Sequence, residues 1–576
     1  MSEALVSALR HEFGEAVLDS ESRFGDESVR IAPEQVVPVL RHLRDRESCE
    51  MLLDVVGNHF PERDDPFEVT YLLRSIANRR RLAVKVVLPE GGEVDSVASL
   101  YRSADWHERE VYDLFGVKFR GHPDLRRILC HHEFEGHALR KDYPIERGQT
   151  CSVPERLFDD ETIRQAMQHG DRSLESDTAT LVADDMHPSD FLTVNIGPSH
   201  PAMHGALRVE ALLDGETIVA CKSEIGYLHR CFEKEAEDHT WQEVMPYTDR
   251  LNYCSAMLNN VIYAHAVEKM MGVEVPPRAQ AIRVIVGELS RIIDHCVCVS
   301  ANLVDLGALT NYWYLYNVRE GIYLDIIEKL CGARLTTNYA RIGGLSHDLF
   351  DGFAEAVEHH LQKMEAAVKD VLGLISRNRI YLDRTIGIGA MDTAEALSWG
   401  YTGPCLRATG LAYDVRKHSP YFGYEQYDFD IPTGENGDTH DRITLRLAEM
   451  FQSARIIRQA LAKMPDGPIC VEDARVILPP KRNVYGSIEG VMNQFKLVYE
   501  GIQVPVGESY GFGEGANGEL GFYCVSDGTG RPQRMKVRPP CFPIFSSFTR
   551  LLTGHLVPDT VAILGSLNII AGELDR

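Results

Sequence analysis

The stretch NIGPSHPAMHGALR (195–208) sets His200 and His204 four residues apart. On a helix that spacing would put both imidazoles on one face, ready for a metal. Gly197, Pro198, Pro201 and Gly205 surround them, and proline and glycine both disfavour a helix interior. The stretch therefore reads as a tight loop that follows a strand, LTVNI. Two further residues could share its chemistry. Tyr253 stands in PYTDRLNY, just before a helix, and Asp305 in LVDLGALT, just after one. A tyrosine hydroxyl and an imidazole can both donate to a carbonyl oxygen. An aspartate beside the imidazole fixes its tautomer and supports its protonated form. Such a trio suits reduction of a quinone, which takes two electrons and two protons. The plainer alternatives are a structural loop and a chance metal-binding pair.

A second histidine cluster, HHEFEGH (131–137), lacks H-E-x-x-H spacing and reads as surface. No G-x-x-x-x-G-K-[ST] loop occurs, and no G-x-G-x-x-G follows a strand, so no NADH or ATP site is expected on this chain. The 13 cysteines are scattered, with one close pair at Cys296-Val-Cys298 and no C-x-x-C. That pattern excludes a disulfide scaffold, a zinc ribbon and an iron–sulfur cluster held by this chain alone, and fits reduced thiols.

The elements that must position these residues fall into two halves. VSALRHEFGEAV and PEQVVPVLRHLRDR have helical periodicity, whereas MLLDVVGNHF, FEVTYLLRSI and RLAVKVVLP read as strands. SVASLYRSADWHEREVYDLFG reads as a helix that stops at Gly116. This mixture predicts a small α+β domain over 1–150. The acidic, polar segment 151–190 reads as a linker, with one helix around 158–168. After it, FLTVNIGPSH and a hairpin turning at Asp214-Gly215 form a short β section. Long helices follow, which predicts a mainly helical bundle over 191–576 within a multidomain α+β chain. The segment 279–306 is apolar on nearly all sides and should be a central helix. It nevertheless carries Arg283, Glu288, Arg291, Asp294, His295 and Asp305. Buried charges must be paired or functional, so they predict either interhelical ion pairs or a proton-handling wall. FAEAVEHHLQKMEAAVKDVLGLI and DRITLRLAEMFQSARIIRQALAKM look amphipathic and should lie outside the bundle.

The 576 residues give ample core, and the formal net charge of −25 disfavours nucleic acid and anionic membranes. Two basic stretches, RSIANRRR (74–81) and HPDLRRIL (122–129), read as solvated surface. The N-terminus lacks the pattern of a signal peptide, and no apolar run reaches the roughly 18–20 residues of a membrane span. A soluble or peripheral, cytoplasmic protein is expected.

WHEREVYDLFGVKFRGHPDLRRIL (106–129) resembles the signature of the C component of respiratory NADH:quinone oxidoreductase, complex I. NIGPSHPAMHGALR, IGYLHRCFEK, VPPRAQAIRVIVGELSRI, NYARIGG, LRATG, YDVRK and GELGFYCVSDG resemble its D component. Order and spacing match along essentially the whole chain, as in fused bacterial C/D subunits. The D component is in turn similar to the large subunit of nickel–iron hydrogenases, whose two C-x-x-C motifs are missing here; the C-terminal counterpart reads SLNIIAGELDR. Without those thiolates no soft nickel site is expected, and the resemblance puts a quinone headgroup in that cavity. It implies that His204 binds one quinone oxygen, Tyr253 the other, and that Asp305 partners His204. His200 would shape the loop. Arg250 would lie near the terminal iron–sulfur cluster, which the resemblance gives to the neighbouring B component of the complex.

The resemblance further implies subunits B, I and H as partners, a C part that serves as docking scaffold, coupling to proton translocation, and a peripheral place on the cytoplasmic side of the bacterial inner membrane. Two departures stand out. Thr336 occupies the place where many relatives carry a histidine whose protonation tracks cluster reduction, and Ser199 replaces a glutamine. The rival expectations are a hydrogenase-like metalloenzyme and a structural linker with a decayed site.

Overall fold

A computed structural model of the chain describes residues 2–153, 157 and 191–576. The expected helix around 158–168, and nearly all of the expected linker, lie outside the described residues. The fold is mixed α+β, with a sheet domain first and a helix-rich region after it.

The first half is built on a five-stranded sheet. Its strands are β1 (Val17–Arg23), β2 (Asp26–Ile31), β3 (Met51–His59), β4 (Phe67–Ser75) and β5 (Arg80–Leu88), in the order β1-β2-β5-β4-β3. The β2–β5 pair is parallel and the other pairs are antiparallel. The hairpin β1–β2 corrects the reading of VSALRHEFGEAV as one helix: the helix covers Ser2–Phe13, and the chain turns into β1 at Val17. The expected helix over 96–116 starts only at Ala104. Its Glu108 reaches back to hold the preceding loop, accepting from the Ser96 hydroxyl (2.6 Å) and the Val97 N–H (2.7 Å).

Every residue of β3 and β4 is buried. Successive side chains of a strand point to opposite faces, so both faces of this pair are covered. Val69, Tyr71 and Leu73 belong to one set; Glu68, Thr70 and Arg74 belong to the other and are buried although polar. The second set meets the other half of the chain. Arg534 donates to the Gly57 carbonyl, Arg538 to the Leu53 carbonyl and Arg81 to Glu519. At the centre of this junction Lys536 lies 2.5 Å from Glu110, and 3.8 Å from both Asp54 and Glu233. Arg576 adds a contact to Glu110 at 2.9 Å. Among the described residues, Asp54, His107 and Glu110 form the one group of ligand atoms close enough for a metal. The adjacent ammonium and guanidinium already neutralise its carboxylates, so the donor set does not suit a divalent cation.

Both basic stretches are solvated only in part: Arg79 and Asp124 are exposed, whereas other members turn inward. Arg74 is 1 % exposed. Arg127 pairs with Asp113 at 2.7 Å, and that carboxylate also accepts the N–H groups of Ile128, Leu129 and Cys130.

The second half opens with a three-stranded antiparallel sheet of Leu192–Ile196, Arg208–Asp214 and Thr217–Glu224. The helix Pro277–Asp305 then runs through the core, buried almost throughout. Around it lie Ala256–Met271, Leu309–Ile322, Thr439–Lys463 and Asp559–Leu567. Phe353–Ile375 is an outer helix, with polar residues on its solvent side. Thr439–Lys463 is not: Arg442, Arg446 and Glu449 are buried, because the facing elements supply matching polar partners. Among the described residues no helix is long and apolar enough to cross a membrane.

Most of the central helix's charges are paired. Arg283 forks onto Glu268 with two bonds of 2.7 Å. Glu288 takes Arg291, Arg416, Tyr424 and Ser453. Its carboxyl is pushed down to about 2: burial opposes the shift, and the two guanidiniums outweigh it. His295 meets Glu449 at 3.0 Å. Asp294 instead accepts from two side-chain amides, of Asn252 and Asn568, and Asp305 meets His204.

Candidate active site

The loop after Leu192–Ile196 makes a short 3₁₀ turn, Pro201–Met203. Proline fits the first position of such a turn because its missing N–H would have no partner there. His200 caps the turn, its Nδ1 accepting the Ala202 N–H at 3.3 Å. That contact engages one ring nitrogen within the turn itself. His204 closes the turn at φ 53°, in the left-handed region. A non-glycine residue held there stores strain, which the surrounding packing must maintain.

The His204 Nε2 lies 2.5 Å from Asp305 Oδ2, across 101 positions of sequence. Both side chains are about four-fifths buried, at 19 % and 17 % exposure. The Nδ1 of His204 has no partner among the described residues. Only the imidazolium carries N–H on both nitrogens. A His204 that donates to Asp305 and to a ligand oxygen together is therefore the cation, in an ion pair with the aspartate.

Tyr253 begins a second 3₁₀ turn, Tyr253–Ser255, capped by Asn252. Its hydroxyl has no hydrogen-bond partner among the described residues. Burial pushes the phenol up, helped by the nearby Cys254 and Asp294 and opposed by Arg250 and Arg319. It thus stays protonated at neutral pH and can donate. Arg250 is exposed, and its guanidinium sits 5.9 Å from the Tyr253 ring centre.

Among the described residues no hydrogen bond joins Tyr253 to His204; the C-terminal segment packs beside both turns. Gly205 packs on Ala571, where a Cβ would come within 2.7 Å of the alanine methyl. Gly572 packs on the backbone beside Tyr253, where a Cβ would lie 2.8 Å from the Arg250 carbonyl. Adjacent residues 571 and 572 therefore touch both turns. Asp294 locks this arrangement to the central helix. Its carboxylate accepts Asn252 Nδ2 (2.8 Å) with one oxygen and Asn568 Nδ2 (2.7 Å) with the other. The sequence marks Asp294 only as one of six charges; its role as a tie between three segments depends on tertiary contacts.

Glu573 is a titratable group that sequence reasoning misses. It is buried in the same segment, near the Cys541 N–H at 3.4 Å. Burial lifts its carboxyl from the ordinary 4.5 to about 7, against the bonding to Cys541 and with help from Asp294. The fold therefore favours the neutral acid, and stability should fall as pH rises from about 4.5 to 7. Glu573→Gln removes that slope. Denaturant midpoints should show the variant gaining roughly 3 kcal/mol on the wild type at pH 8 and nothing near pH 4.5. Parallel pH profiles for the two proteins would sink the assignment.

The histidines of HHEFEGH do not converge. His137 Nδ1 lies 2.9 Å from the Asp113 carbonyl, while the His131 and His132 rings are tilted against each other with centres 4.2 Å apart. Among the described residues no three thiols approach within metal-ligating distance. Thr336 stands at φ 53°.

The family described as "Respiratory-chain NADH dehydrogenase, 49 Kd subunit" matches residues 305–576. The one described as "Respiratory-chain NADH dehydrogenase, 30 Kd subunit" matches residues 29–149. The fused C/D NADH-quinone oxidoreductase subunit of Bdellovibrio bacteriovorus is 47% identical over 96% of this chain and 95% of its own length. A D-type NADH-quinone oxidoreductase subunit from an Anaeromyxobacter species is 51% identical over 67% of this chain and 90% of its own. Another D-type subunit, from Sorangium cellulosum, is 51% identical over 68% and 96%.

Proposed function

This chain belongs to the family of fused C/D NADH-quinone oxidoreductase subunits, and from that premise we propose that His204, Tyr253 and Asp305 form its quinone-reduction site. The chain is a component of respiratory complex I, an oxidoreductase, and its partners are other complex I subunits. The observation that carries the site reading is the His204–Asp305 contact of 2.5 Å, across 101 positions of sequence; the Tyr253 hydroxyl, with no partner among the described residues, is the second donor.

In this reading His204 Nδ1–H and the Tyr253 O–H each donate to one carbonyl oxygen of the quinone. Donors already aimed at oxygens that gain negative charge favour the reduced state over the oxidised one. As charge builds, His204 can give up the Nδ1 proton and stay bonded to Asp305 through Nε2. The ion pair is then lost, leaving Asp305 as an uncompensated carboxylate, and that change of charge is where coupling to proton translocation would begin. Electrons would come from the terminal iron–sulfur cluster of the neighbouring B component, with Arg250 near it as a stabilising cation. Thr336 does not titrate, so this residue would not supply the protonation that many relatives place beside that cluster.

Subunits I and H would complete the surroundings, with the quinone entering along the seam with H and the chain peripheral on the cytoplasmic face of the inner membrane. The experiment that tests the site is NADH oxidation by a quinone against oxidation by an acceptor that takes electrons upstream, in complexes carrying His204→Ala or Tyr253→Phe.

The same reading treats 1–150 as a docking scaffold and 191–576 as the quinone-site unit, joined covalently by 151–190. The D-type relatives match only about two thirds of this chain, which supports a junction that holds without the connection. Cleavage at a protease site engineered into 158–190 should leave the halves co-eluting on size exclusion at low salt and neutral pH. Separation on cutting would contradict an independent junction.

A further inference from the structure

We propose that a cationic cleft between the two halves, built on Arg74, Arg79, Arg80 and Ser419, binds the phosphate group of a small organic phosphate. The cleft has a volume of about 770 Å³ and is lined by five Arg and Lys side chains against two carboxylates. That sign is opposite to the net charge of −25 for the whole chain. Lys269 is neutralised by Asp26 at 2.7 Å, and Arg81 by Glu519 at 2.8 Å. The remaining three arginines have no carboxylate within ion-pair distance among the described residues.

Arg74 makes the strongest case. Its residue is 1 % exposed, and its Nε has no hydrogen-bond partner. Its Nη2 donates to Ser419 Oγ at 3.2 Å, and Arg81 Nη1 donates to the same oxygen at 3.3 Å. A hydroxyl that accepts from two cations must direct its own proton elsewhere, and no described residue receives it. A buried guanidinium without a counter-ion is costly, and an anion in the cleft removes that cost. Arg79 and Arg80 stand at the turn between β4 and β5, at the rim of the same cleft.

The donor set chooses the ligand class. Three guanidinium forks and a hydroxyl offer more N–H and O–H groups than the two oxygens of one carboxylate can take; a phosphate presents three or more oxygens to them. The volume lies within the 300–1,000 Å³ range of small-molecule sites, so there is room for an organic body beside the phosphate. His265 also lines the cleft but adds no charge at neutral pH, since burial and the Arg283 and Lys269 charges push its imidazole down to about 4.

The test is equilibrium dialysis of labelled inorganic pyrophosphate with the assembled complex at fixed ionic strength, comparing wild type and variants. Other subunits can bind the probe, so the quantity read is the difference between proteins. The wild type should hold one more saturable site per chain than Arg74→Gln. The rim pair Arg79→Gln with Arg80→Gln should weaken that site about tenfold or more. The rim pair also serves if Arg74→Gln fails to assemble. Identical binding by wild type and variants overturns the proposal, as does the lack of a saturable site. The latter is the result expected if acidic side chains of a neighbouring subunit fill the cleft. Vesicles carrying phosphatidylglycerol, added as competitor, separate the two sources of the phosphate: displacement assigns it to a lipid headgroup, and retention to a soluble compound.

Discussion

In membranes carrying His204→Ala, quinone-dependent NADH oxidation should fall about a hundredfold, while oxidation by an upstream artificial acceptor stays within twofold of wild type. The size follows from the loss of a positioned proton donor, which is worth roughly 10²–10⁴ in rate. Tyr253→Phe deletes one hydrogen bond to the second carbonyl and keeps the ring that fills the turn, so a fall of about tenfold is expected. Asp305→Asn is the finest probe of the three. It preserves the shape of the 2.5 Å contact but removes the charge that pairs with the imidazolium, so it should depress the quinone reaction by less than His204→Ala, which loses the ring donor as well. The acceptor control separates chemistry from assembly. The strained His204 turn and the Gly205–Ala571 packing could make the loop a structural keystone, and then both reactions would fall together. Equal activity of wild type and all three variants with quinone would remove these residues from the site.

Local pattern and tertiary fact divide cleanly along this chain. The central helix is legible because an apolar run with helical periodicity has few other ways to be buried. Its charges are legible as a problem, but their partners are not: Glu288 finds Arg416 and Ser453 more than a hundred positions away, and no spacing rule reaches that far. The helix Thr439–Lys463 misleads for the same reason. Arg442, Arg446 and Glu449 look like a solvated face until the segments that receive them are known. The polar face of β4 is unreadable because Glu68, Thr70 and Arg74 face another part of the same chain rather than water. The hairpin β1–β2 hides for a different reason. VLDSESR is largely exposed and carries almost no apolar alternation to mark it as a strand. At the site, His204, Tyr253 and Asp305 can each be named from type and context. What packs beside the turns of His204 and Tyr253 is the plain-looking segment 568–572, whose small residues permit close approach and whose Asn568 meets Asp294.

Lys536→Met should destabilise the junction of the two halves by about 3–5 kcal/mol, the cost of leaving buried carboxylates without their cation. The ammonium stands within 4 Å of Glu110, Asp54 and Glu233, and none of the four side chains is more than 6 % exposed. Arg576 covers part of Glu110 and Arg534 part of Glu233, at 2.9 and 2.8 Å. Once the lysine is gone, Asp54 keeps His107, at 3.0 Å, and the Val55 N–H, at 2.8 Å, but no ammonium or guanidinium within 4 Å among the described residues. The charge balance makes a second change informative. Glu110→Gln in the Lys536→Met background removes one of the stranded carboxylates, so the double variant should recover part of the loss; the coupling in the double-mutant cycle should exceed about 1 kcal/mol. The same network sets an acid limit. Burial works to raise the carboxyls of Asp54, Glu110 and Glu233, but the Lys536 and Arg576 charges, with Arg534 at Glu233, hold all three below their ordinary values. Their contribution is therefore fully present above about pH 5 and is lost as pH falls through the depressed folded-state values. Unfolding midpoints for the wild type should drop steeply below about pH 4, and those for Lys536→Met should drop less, because part of the acid-sensitive term is already gone. A loss under about 1 kcal/mol for Lys536→Met, or additive single and double variants, would mean that apolar packing rather than this ion cluster holds the two halves together.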